Sequence, residues 1–318
     1  MVKEMRQKPI FVLMGSEEYY YLIETNIKQL RTIYPDAEIV VYAWGPNPLI
    51  LTNERNVTII DWRERVEDTE DLLSIYTKED IKKLAIAFNQ RTPRGIMQRI
   101  RKAFIKRFPS SWVTQNMQKK ALVYENMLMQ KVRCLMAASD LYPARSLMFL
   151  DADAFVFENI DELFDHDADV MLSIVRPEKV EWTYNLCNVL TVGVMYFSDH
   201  KKVRDSLFRE WWPATQKCTE FCKEQSALVR LLATKTQTLF KKDAKEFVPF
   251  GSTDIRFWIV DADIYNHHEL YNIAHWPDET IPYAKIYHFS NMAQDRTRLQ
   301  NALQRVRDHR IKPKSGRT

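Results

Sequence analysis

Glycine is scarce in this sequence, with six residues in 318, where an average usage of ~7% would give about 22. The sequence contains neither a GxGxxG nor a GxxxxGK run. Both motifs use glycine to bring backbone amides close to phosphate groups. Their absence therefore disfavours a dinucleotide-binding Rossmann site and a P-loop.

Long apolar runs are also missing. The first run, residues 10–14, is soon followed by Glu17 and Glu18 and is too short for the core of a signal peptide. No stretch approaches the ~18–20 apolar residues of a membrane span. The cysteines have no CxxC spacing, which disfavours a zinc site and favours free thiols in a reducing compartment. They are Cys134, Cys187, Cys218 and Cys222. We therefore expect a soluble, cytoplasmic protein.

Strand and helix patterns alternate along the first part of the chain. Apolar runs at 9–14, 38–43 and 57–60 predict strands, and apolar residues at helical spacing over 18–34 predict a helix. This alternation is typical of a parallel sheet with right-handed crossovers. The 46% hydrophobic and 28% charged residues are an ordinary globular composition.

Positive charge is concentrated in two segments, although the net formal charge is only +4. Residues 91–120 hold nine Lys and Arg and no acid, and residues 296–317 hold eight against one acid. The first segment predicts an amphipathic helix. In one interpretation its apolar face docks on the body and its basic face is solvated. In the other it binds a polyanion such as DNA or RNA, or an anionic membrane. Its apolar face would consist of Ile96, Met97, Ile100, Ala103, Phe104 and Phe108.

The strongest local motif is FLDADAFVF, residues 149–157, in which an apolar strand delivers Asp151 and Asp153 at its carboxyl end. Ligands bind at that end of open α/β sheets. Two carboxylates so close together repel each other unless a cation lies between them. Mg²⁺ and Mn²⁺ accept such oxygens and take diphosphate oxygens as further ligands. A bare DxD is common, however, and is often only a solvated strand end.

Further features appear in a fixed order around this motif. A long helix, about 122–138, precedes it, and strands are predicted at 169–175, 188–197 and 284–290. A lone glycine inside a strand usually marks a close approach of the backbone to another group. The residues singled out in this order are Lys131, Arg133, Gly193, Glu224, Gln225 and His288.

Taken together, these features resemble a metal-dependent, nucleotide-sugar-using glycosyltransferase of the GT-A fold. The layout is most similar to the retaining glycogenin- and galactosyltransferase-like enzymes of family 8, over residues 9–63 and 122–291. The resemblance implies a single α/β catalytic domain over residues 1–318 with a mostly parallel central sheet. A basic helical insertion at about 64–120 and a basic tail at about 292–318 would extend it.

The resemblance also implies roles for individual residues. Asp151, Asp153 and His288 would bind the metal, and Glu224 and Gln225 would act on the sugar or acceptor. The residues expected to bind the donor are Gly15, Ser16, Trp44 and Asp61 for the base and ribose, and Lys131, Arg133, Asp151, Ala152, Gly193 and Lys285 for the diphosphate and sugar.

Some positions depart from the family pattern. His288 is not followed by the glycine and the Lys-Pro-Trp that usually complete the late motif, so Lys285 or an arginine of the tail would replace the diphosphate-binding lysine. Thr191 stands where the family often has Asn or Ser. A second Asp-Ala-Asp, residues 261–263, competes with the first as a metal site, but its late position beside a Tyr-Asn step favours the first. The adjacent His267 and His268 are expected at the surface.

The implied activity is transfer of a hexose or pentose from a nucleotide sugar, expected to be a UDP-sugar, to an acceptor hydroxyl, with Mn²⁺ or Mg²⁺. Retention is preferred to inversion. The resemblance does not identify the acceptor, and the candidate from the basic segments is a polyanion such as modified DNA or RNA. Two alternatives belong to other classes. One is a non-catalytic nucleic-acid-binding protein on a degenerate transferase fold, and the other is a metal-dependent nucleotidyltransferase. The sequence leaves the sugar and the oligomeric state open.

Overall fold

A computed structural model describes residues 7–47, 49, 55–66, 72–89, 96–108, 110–175, 186, 189–268, 281–290 and 295–311. Its strands form an eight-stranded sheet and a separate two-stranded sheet. The strands are β1 (Ile10–Ser16), β2 (Ile39–Trp44), β3 (Val57–Asp61), β4 (Leu147–Leu150), β5 (Ala154–Val156), β6 (Val170–Ile174), β7 (Leu190–Phe197), β8 (Lys245–Phe250), β9 (Thr253–Asp261) and β10 (Ile286–His288).

Helices cover both faces of the large sheet, and short 3-10 turns follow several of the strands. The helices are α1 (Tyr20–Ile33), α2 (Lys78–Asn89), α3 (Ile96–Arg107), α4 (Trp112–Leu141), α5 (Lys201–Lys217), α6 (Lys223–Lys235), α7 (Ala262–Tyr265) and α8 (Arg296–Ile311). The 3-10 turns are Glu17–Tyr19, Arg63–Arg65 and Asp161–Leu163.

The large sheet has the strand order β3-β2-β1-β4-β7-β6-β9-β8. Four of its seven strand pairs are parallel; β7 runs antiparallel to both of its neighbours, and β8 runs antiparallel to β9. The predicted α/β architecture, with a mostly parallel central sheet flanked by helices, is confirmed. Because β1 to β4 are parallel, their carboxyl ends meet at one edge of the sheet.

Alternation along β1 explains the layering. Phe11 and Leu13 belong to one buried apolar cluster, which includes α1 and α8, and Val12 and Met14 belong to the other, which includes α4, α5 and α6. Successive side chains of a strand point to opposite faces, so β1 contributes to both clusters. This explains why the strand reads as a continuous apolar run rather than an alternating one.

Two helices differ in length from their predictions. Helix α4 spans thirty residues rather than the seventeen predicted. Its first turn is capped by Ser111, whose side chain accepts a hydrogen bond from the Thr114 amide. By contrast, the segment ENIDELF at 158–164, whose sequence predicts the start of a helix, contains only the 3-10 turn Asp161–Leu163.

The basic insertion and the basic tail pack in different places. Helix α3 contacts α2 and α4. Helix α8 buries Leu299 and Leu303 in the cluster shared with α1. Binding of one polyanion by both segments stays a prediction; residues 91–95 and 312–318 lie outside the described part of the chain.

Within the described ranges, no helix is both long enough and apolar enough to cross a bilayer.

Candidate functional site

A pocket of about 500 Å³ opens at the carboxyl ends of β1 and β4. This volume is within the ~300–1,000 Å³ range of small-molecule sites. The floor carries the polar side chains, and one wall is apolar and comes from the middle of α4 and from the segment before α6. The residues of these two parts are Lys131, Asp151, Asp153, Glu224, Asn266 and His288 on the floor, and Tyr124, Met127, Leu128 and Phe221 on the wall.

The predicted metal ligands come together at this floor. Asp151, Asp153 and His288 each offer one ligand atom, and these atoms lie within 4.8 Å of one another. The Nε2 of His288 is 2.9 Å from an Asp153 oxygen and 3.8 Å from an Asp151 oxygen. Strand β10 supplies the histidine and pairs with β5 directly after the carboxylates, with His288 opposite Ala154.

The backbone of the first Asp-Ala-Asp is held by an amide from α1. The side-chain amide nitrogen of the buried Asn26 donates to the carbonyl oxygens of Asp151, Ala152 and Ala154 at 3.3, 3.2 and 2.8 Å. The Asp151 amide also donates to the Gly193 carbonyl at 2.7 Å. These contacts fix the turn that presents the two carboxylates. Sequence reasoning missed Asn26, because only the tertiary structure brings α1 to this turn.

Gly193 leaves the space in which these side chains meet. A Cβ atom at this position would lie 2.6 Å from Cε1 of His288 and 2.8 Å from Oδ2 of Asp151. Both distances are too short for real contacts, so a side chain here would displace the ligands. The close approach predicted from a lone glycine inside a strand is confirmed. A direct contact of Gly193 with the donor stays a prediction.

The orientation of the His288 ring is set by Asn266. The Nδ1 of His288 lies 2.9 Å from Oδ1 of Asn266, and the Asn266 amide nitrogen donates to the hydroxyls of Ser173 at 3.2 Å and Thr191 at 2.6 Å. Because the amide oxygen only accepts, Nδ1 carries the proton, and Nε2 is the ring nitrogen that faces the carboxylates. The Ser173 and Thr191 hydroxyls also hydrogen-bond each other.

A buried lysine joins the metal-ligand carboxylates to a second acid. The Nζ of Lys131 is 3.0 Å from Asp151, 3.3 Å from Glu224 and 3.3 Å from the Val192 carbonyl. Both Lys131 and Glu224 are almost fully buried. The Glu224 oxygen Oε2 is buried and has no hydrogen-bond partner among the described residues, which leaves an acceptor in the pocket lining. Gln225 also lines the pocket and accepts the Val192 amide at 3.2 Å.

Burial and opposed charges decide the protonation behaviour of the site. Burial raises the pKa of Glu224, and the nearby ammonium of Lys131 only partly offsets this effect. Burial alone would lower the pKa of Lys131, but Asp151 and Glu224 raise it above its ordinary value. Burial would likewise lower the pKa of His288, and the Asp153 carboxylate reverses this. The Glu224 carboxylate and the Lys131 ammonium therefore each stabilise the charged form of the other inside the pocket.

Four residues were predicted to contact the base and ribose, and the strand register places them within one residue of the same level. Ala43 pairs with both Gly15 and Asp61, and Ser16 pairs with Trp44, so the ends of β1, β2 and β3 are aligned. Gly15 lines the pocket. Asp61 is exposed and paired with Arg63. Their contacts with a nucleotide stay predictions.

Two predicted cationic residues point away from the pocket. Arg133 donates to the carbonyl of Arg65 and lies over the Trp212 ring. Lys285 pairs with Glu162 and donates to the Asn159 carbonyl. Of the two alternatives on α4, Lys131 therefore lies in the site and Arg133 does not. Binding of the diphosphate by Lys285 stays a prediction, and the contacts of Lys285 with Glu162 and Asn159 do not favour it.

The second Asp-Ala-Asp follows β9 at the same edge of the sheet, but it has different neighbours. Asp261 accepts the Asp263 amide at 3.1 Å as the N-cap of α7, and it pairs with Lys242 at 2.6 Å. Asp263 lines the pocket and is 3.7 Å from His267. Neither carboxylate belongs to the cluster of ligand atoms found among the described residues.

The expectation that His267 and His268 lie at the surface is wrong. Both line the pocket, and the rings of His268 and His288 are 4.3 Å apart. The Nδ1 of His268 is 3.3 Å from the Ser290 hydroxyl. Burial, followed by the proximity of His288, keeps the pKa of His268 well below its ordinary value, so its ring is neutral. The pairing of the preceding segment with β10 brings them inside, as the His267 amide donates to the Ile286 carbonyl.

The donor set fits a hard divalent cation. Two carboxylates and one imidazole converge, the ring orientation is fixed by an outer partner, and the missing Cβ of Gly193 keeps the space open. Oxygen-rich sets of this kind suit Mg²⁺ and Mn²⁺, and an imidazole favours Mn²⁺ of the two. Asp151, Asp153 and His288 would hold the ion.

Comparison with known proteins gives matches in structure only. No protein-family model matches the sequence, and no curated protein matches it. One similar structure is the galactosyltransferase LgtC in complex with donor and acceptor sugar analogues, at 11% identity over 96% of this chain and 97% of that chain, with a TM-score of 0.49.

Two further matches are also glycosyltransferases. GlyE of Streptococcus pneumoniae TIGR4 has 15% identity over 89% of this chain and 55% of that chain, with a TM-score of 0.42. A glycosyltransferase involved in the glycosylation of the major capsid of PBCV-1 has 10% identity over 94% of this chain and 100% of that chain, with a TM-score of 0.41. At such values, the donor, acceptor and metal of this chain have to be argued from its own site.

Proposed function

We propose that this protein is a glycosyltransferase that moves a sugar from a nucleotide-sugar donor to an acceptor hydroxyl and depends on Mn²⁺ or Mg²⁺. The observation that carries the proposal is the cluster of Asp151, Asp153 and His288 on the floor of a large pocket at the carboxyl ends of parallel strands. A diphosphate supplies the oxygens that would complete the coordination of a hard cation held there.

The formal charges of the pocket floor support a divalent cation. Asp151, Asp153 and Glu224 carry three negative charges and Lys131 carries one positive charge, which leaves two negative charges when His288 is neutral. Carboxylates and a diphosphate repel each other strongly in a buried site. A divalent cation between them would remove this repulsion, so the donor and the cation should bind together.

The transfer step breaks the bond between the sugar C1 and the diphosphate oxygen and forms a bond between C1 and the acceptor oxygen. The acceptor hydroxyl loses its proton, and the nucleoside diphosphate leaves with the electron pair of the broken bond. When bound, the cation would stabilise the charge that develops on this leaving group. Lys131 would hold Asp151 and Glu224 in place from below.

Glu224 is the residue we assign to the sugar or the acceptor. Its Oε1 is held by Lys131, and its buried Oε2 has no hydrogen-bond partner among the described residues. A sugar or acceptor hydroxyl donating to this oxygen would satisfy it. The apolar wall formed by Tyr124, Met127 and Phe221 supplies a surface for a sugar ring.

The finer assignments depend on the family resemblance of the motifs. We propose a UDP-sugar as the donor, with a hexose or a pentose as the transferred group, and retention at C1. The acceptor is left open. A polyanionic acceptor such as DNA or RNA stays a prediction from the two basic segments.

The test is incubation of the full chain with a panel of nucleotide sugars, with Mn²⁺, with Mg²⁺ or with EDTA. We expect metal-dependent release of a nucleoside diphosphate from one donor, and slow hydrolysis suffices when no acceptor is present. NMR of the sugar product would give the configuration at C1 and so decide between retention and inversion.

The alternative classes give different results in the same assay. A nucleotidyltransferase would consume a nucleoside triphosphate and release pyrophosphate, while leaving nucleotide sugars intact. A degenerate, non-catalytic protein would turn over neither substrate. Absence of turnover from the whole donor panel, together with absence of metal-dependent donor binding in calorimetry, would contradict the proposal.

A further inference from the structure

Helix α3 and the start of α4 form a surface that the catalytic proposal does not use. We call it the basic–apolar patch. Its residues are the apolar Ile100, Phe104, Phe108, Trp112 and Val113 and the basic Arg101 and Arg107. One of the two interpretations that the sequence left open docks the apolar stripe of this helix on the protein body.

The stripe is instead largely uncovered. Trp112 is 76% exposed, Ile100 52% and Phe108 48%. The residue that packs inward from the described part of this helix is Ile105, which is fully buried. The predicted docking of the whole apolar face is therefore wrong for Ile100 and Phe108. Large apolar side chains exposed together in this way mark an interaction surface.

The patch is held in a defined shape. The rings of Phe104 and Phe108 are 4.9 Å apart. The Phe108 carbonyl accepts the Thr114 hydroxyl at 2.8 Å and the Ser111 amide at 3.1 Å, which fixes the turn between α3 and α4. The Trp112 side chain follows directly on this turn. The aromatic side chains are thus presented by a rigid corner between two helices.

The charge of the patch has one sign. Between residues 96 and 124 the sequence has seven Lys and Arg and no acid. At ~3.6 residues per turn, Arg101 and Arg107 border the row of Ile100, Phe104 and Phe108. Arg107 is exposed, and its guanidinium lies 5.9 Å from the centre of the Phe108 ring. Long basic side chains beside aromatic ones place their charges at the level of lipid headgroups.

We propose that this patch binds the surface of an anionic membrane, with the apolar side chains entering the headgroup region and the basic ones contacting anionic lipid. Amphipathic helices that bind membranes combine a Lys- and Arg-rich face with Trp, Phe and aliphatic residues. A nucleic acid would match the charge but not the aliphatic Ile100 and Val113, which have no base or phosphate to contact. The charge and the exposed apolar side chains together favour lipid.

The location of the patch connects it to the pocket. Helix α4 begins in the patch at Trp112 and contributes Tyr124 to the pocket wall. A helix rises ~1.5 Å per residue, so these two residues are about 18 Å apart along the axis. A membrane bound at the patch would lie beside the apolar wall of the pocket. The inference does not depend on sugar transfer, since its test measures binding alone.

The test is co-sedimentation of the full chain with vesicles of phosphatidylcholine alone or with phosphatidylglycerol added. We expect binding to the anionic vesicles and binding at least about tenfold weaker to the neutral ones. Arg101→Gln together with Arg107→Gln should weaken binding about 30-fold, since each basic residue near an anionic surface contributes ~1 kcal/mol. Trp112→Ser together with Phe108→Ser should weaken it by at least about tenfold.

Matched controls come from exposed positions elsewhere. Phe247→Ser removes an aromatic side chain that is 63% exposed on β8, and Lys241→Gln removes an exposed charge. Neither should change vesicle binding. In a second measurement, brominated lipid should quench the fluorescence of the wild-type protein more than that of Trp112→Phe, which keeps the fold.

Three outcomes overturn the proposal: no binding to anionic vesicles, equal binding by the patch variants and the controls, or unchanged quenching in Trp112→Phe. Binding of duplex DNA or RNA at this patch that anionic vesicles fail to displace would also overturn it and assign the patch to nucleic acid. Circular dichroism of every variant would establish that the loss of binding is not a loss of fold.

Discussion

The tripeptide Asp-Ala-Asp occurs twice in this chain, at 151–153 and at 261–263, each time directly after a strand of the same sheet. The two copies are identical in sequence and similar in secondary structure context. Their surroundings differ. The first copy faces His288 and Lys131, whereas Asp261 of the second caps a short helix and pairs with Lys242 at the surface.

The difference lies in what the rest of the fold brings to each copy. The β10–β5 pairing supplies a histidine to the first copy, Gly193 leaves room beside it, and Asn26 holds its backbone. In the second copy, the Asp261 carboxylate at the end of the strand accepts a hydrogen bond from the Asp263 amide at the start of α7. The fold therefore supplies a histidine and open space to the first copy, whereas Asp261 of the second copy is used by its own helix.

The largest expected effect separates the two copies directly. Asp153→Ala removes an anionic ligand, so metal-dependent turnover should fall by more than the ~10–100-fold cost typical of an outer-shell partner. Donor hydrolysis with Mn²⁺ and metal titration by calorimetry measure this. The matched Asp261→Ala variant should retain activity and metal affinity. Loss of activity in Asp261→Ala with wild-type activity in Asp153→Ala would assign the metal to the second copy.

A second effect comes from the space beside the first copy. Gly193→Ala places a Cβ within 3 Å of His288 and Asp151, and overpacking of this kind costs about 1–3 kcal/mol. We expect a lower unfolding temperature together with weaker metal binding. Gly251 offers a contrast, because its Cβ would meet no atom within 4 Å. Gly251→Asn should leave metal affinity unchanged, since Asn tolerates the left-handed backbone there, where φ is +57°.

A smaller effect is expected from the residue that orients the histidine. Asn266→Ala removes the acceptor for Nδ1 of His288 and leaves the Thr191 hydroxyl without its amide donor. Metal affinity should fall about 10–100-fold. Asn266→Asp keeps an oxygen at this position and should rescue most of the loss. A merely structural role would instead lower stability in both variants without this difference in metal affinity.

The smallest effect belongs to the surface pair of the second copy. Asp261→Asn keeps an N-cap oxygen but loses the ion pair with Lys242, whose side chain is half exposed. Such pairs contribute about 0–1 kcal/mol, so the free energy of unfolding should change by less than about 1 kcal/mol. Urea unfolding measures it. A larger loss than this would indicate that the second copy holds something more than its own helix.

The patterns that act locally were sufficient to predict six of the eight strands of the large sheet, but not β8 and β9. The apolar runs of β1, β2 and β4 predicted buried parallel strands, and the structure confirms them. The site was predicted at the carboxyl end of β4, because the apolar run of the strand and the carboxylates that follow it are adjacent in the sequence. The length of α4 was underestimated, since its polar first turns are stabilised by the Ser111 cap and by contacts with α2 and α3 rather than by an apolar stripe.

Long-range contacts decided what local patterns left open. The choice of Lys131 over Arg133 depends on which side of α4 faces β4. The inward position of His267 and His268 depends on the pairing of their segment with β10. The exposure of Ile100 and Phe108 depends on α3 burying Ile105 instead. None of these follows from periodicity, because each depends on a partner more than ten residues away.

By itself, the sequence of this protein determined the alternation of strands and helices, the carboxylates at a strand end and the position of Gly193 within a strand. These features follow from the spacing of apolar residues and from the residue types along short segments of the chain, so they are local in sequence. Only the tertiary structure decided which Asp-Ala-Asp meets a histidine, which cation supports it and which apolar stripe stays exposed. Those outcomes depend on contacts between segments that are distant in sequence, because the burial and the charged neighbours of a side chain are set by the whole fold.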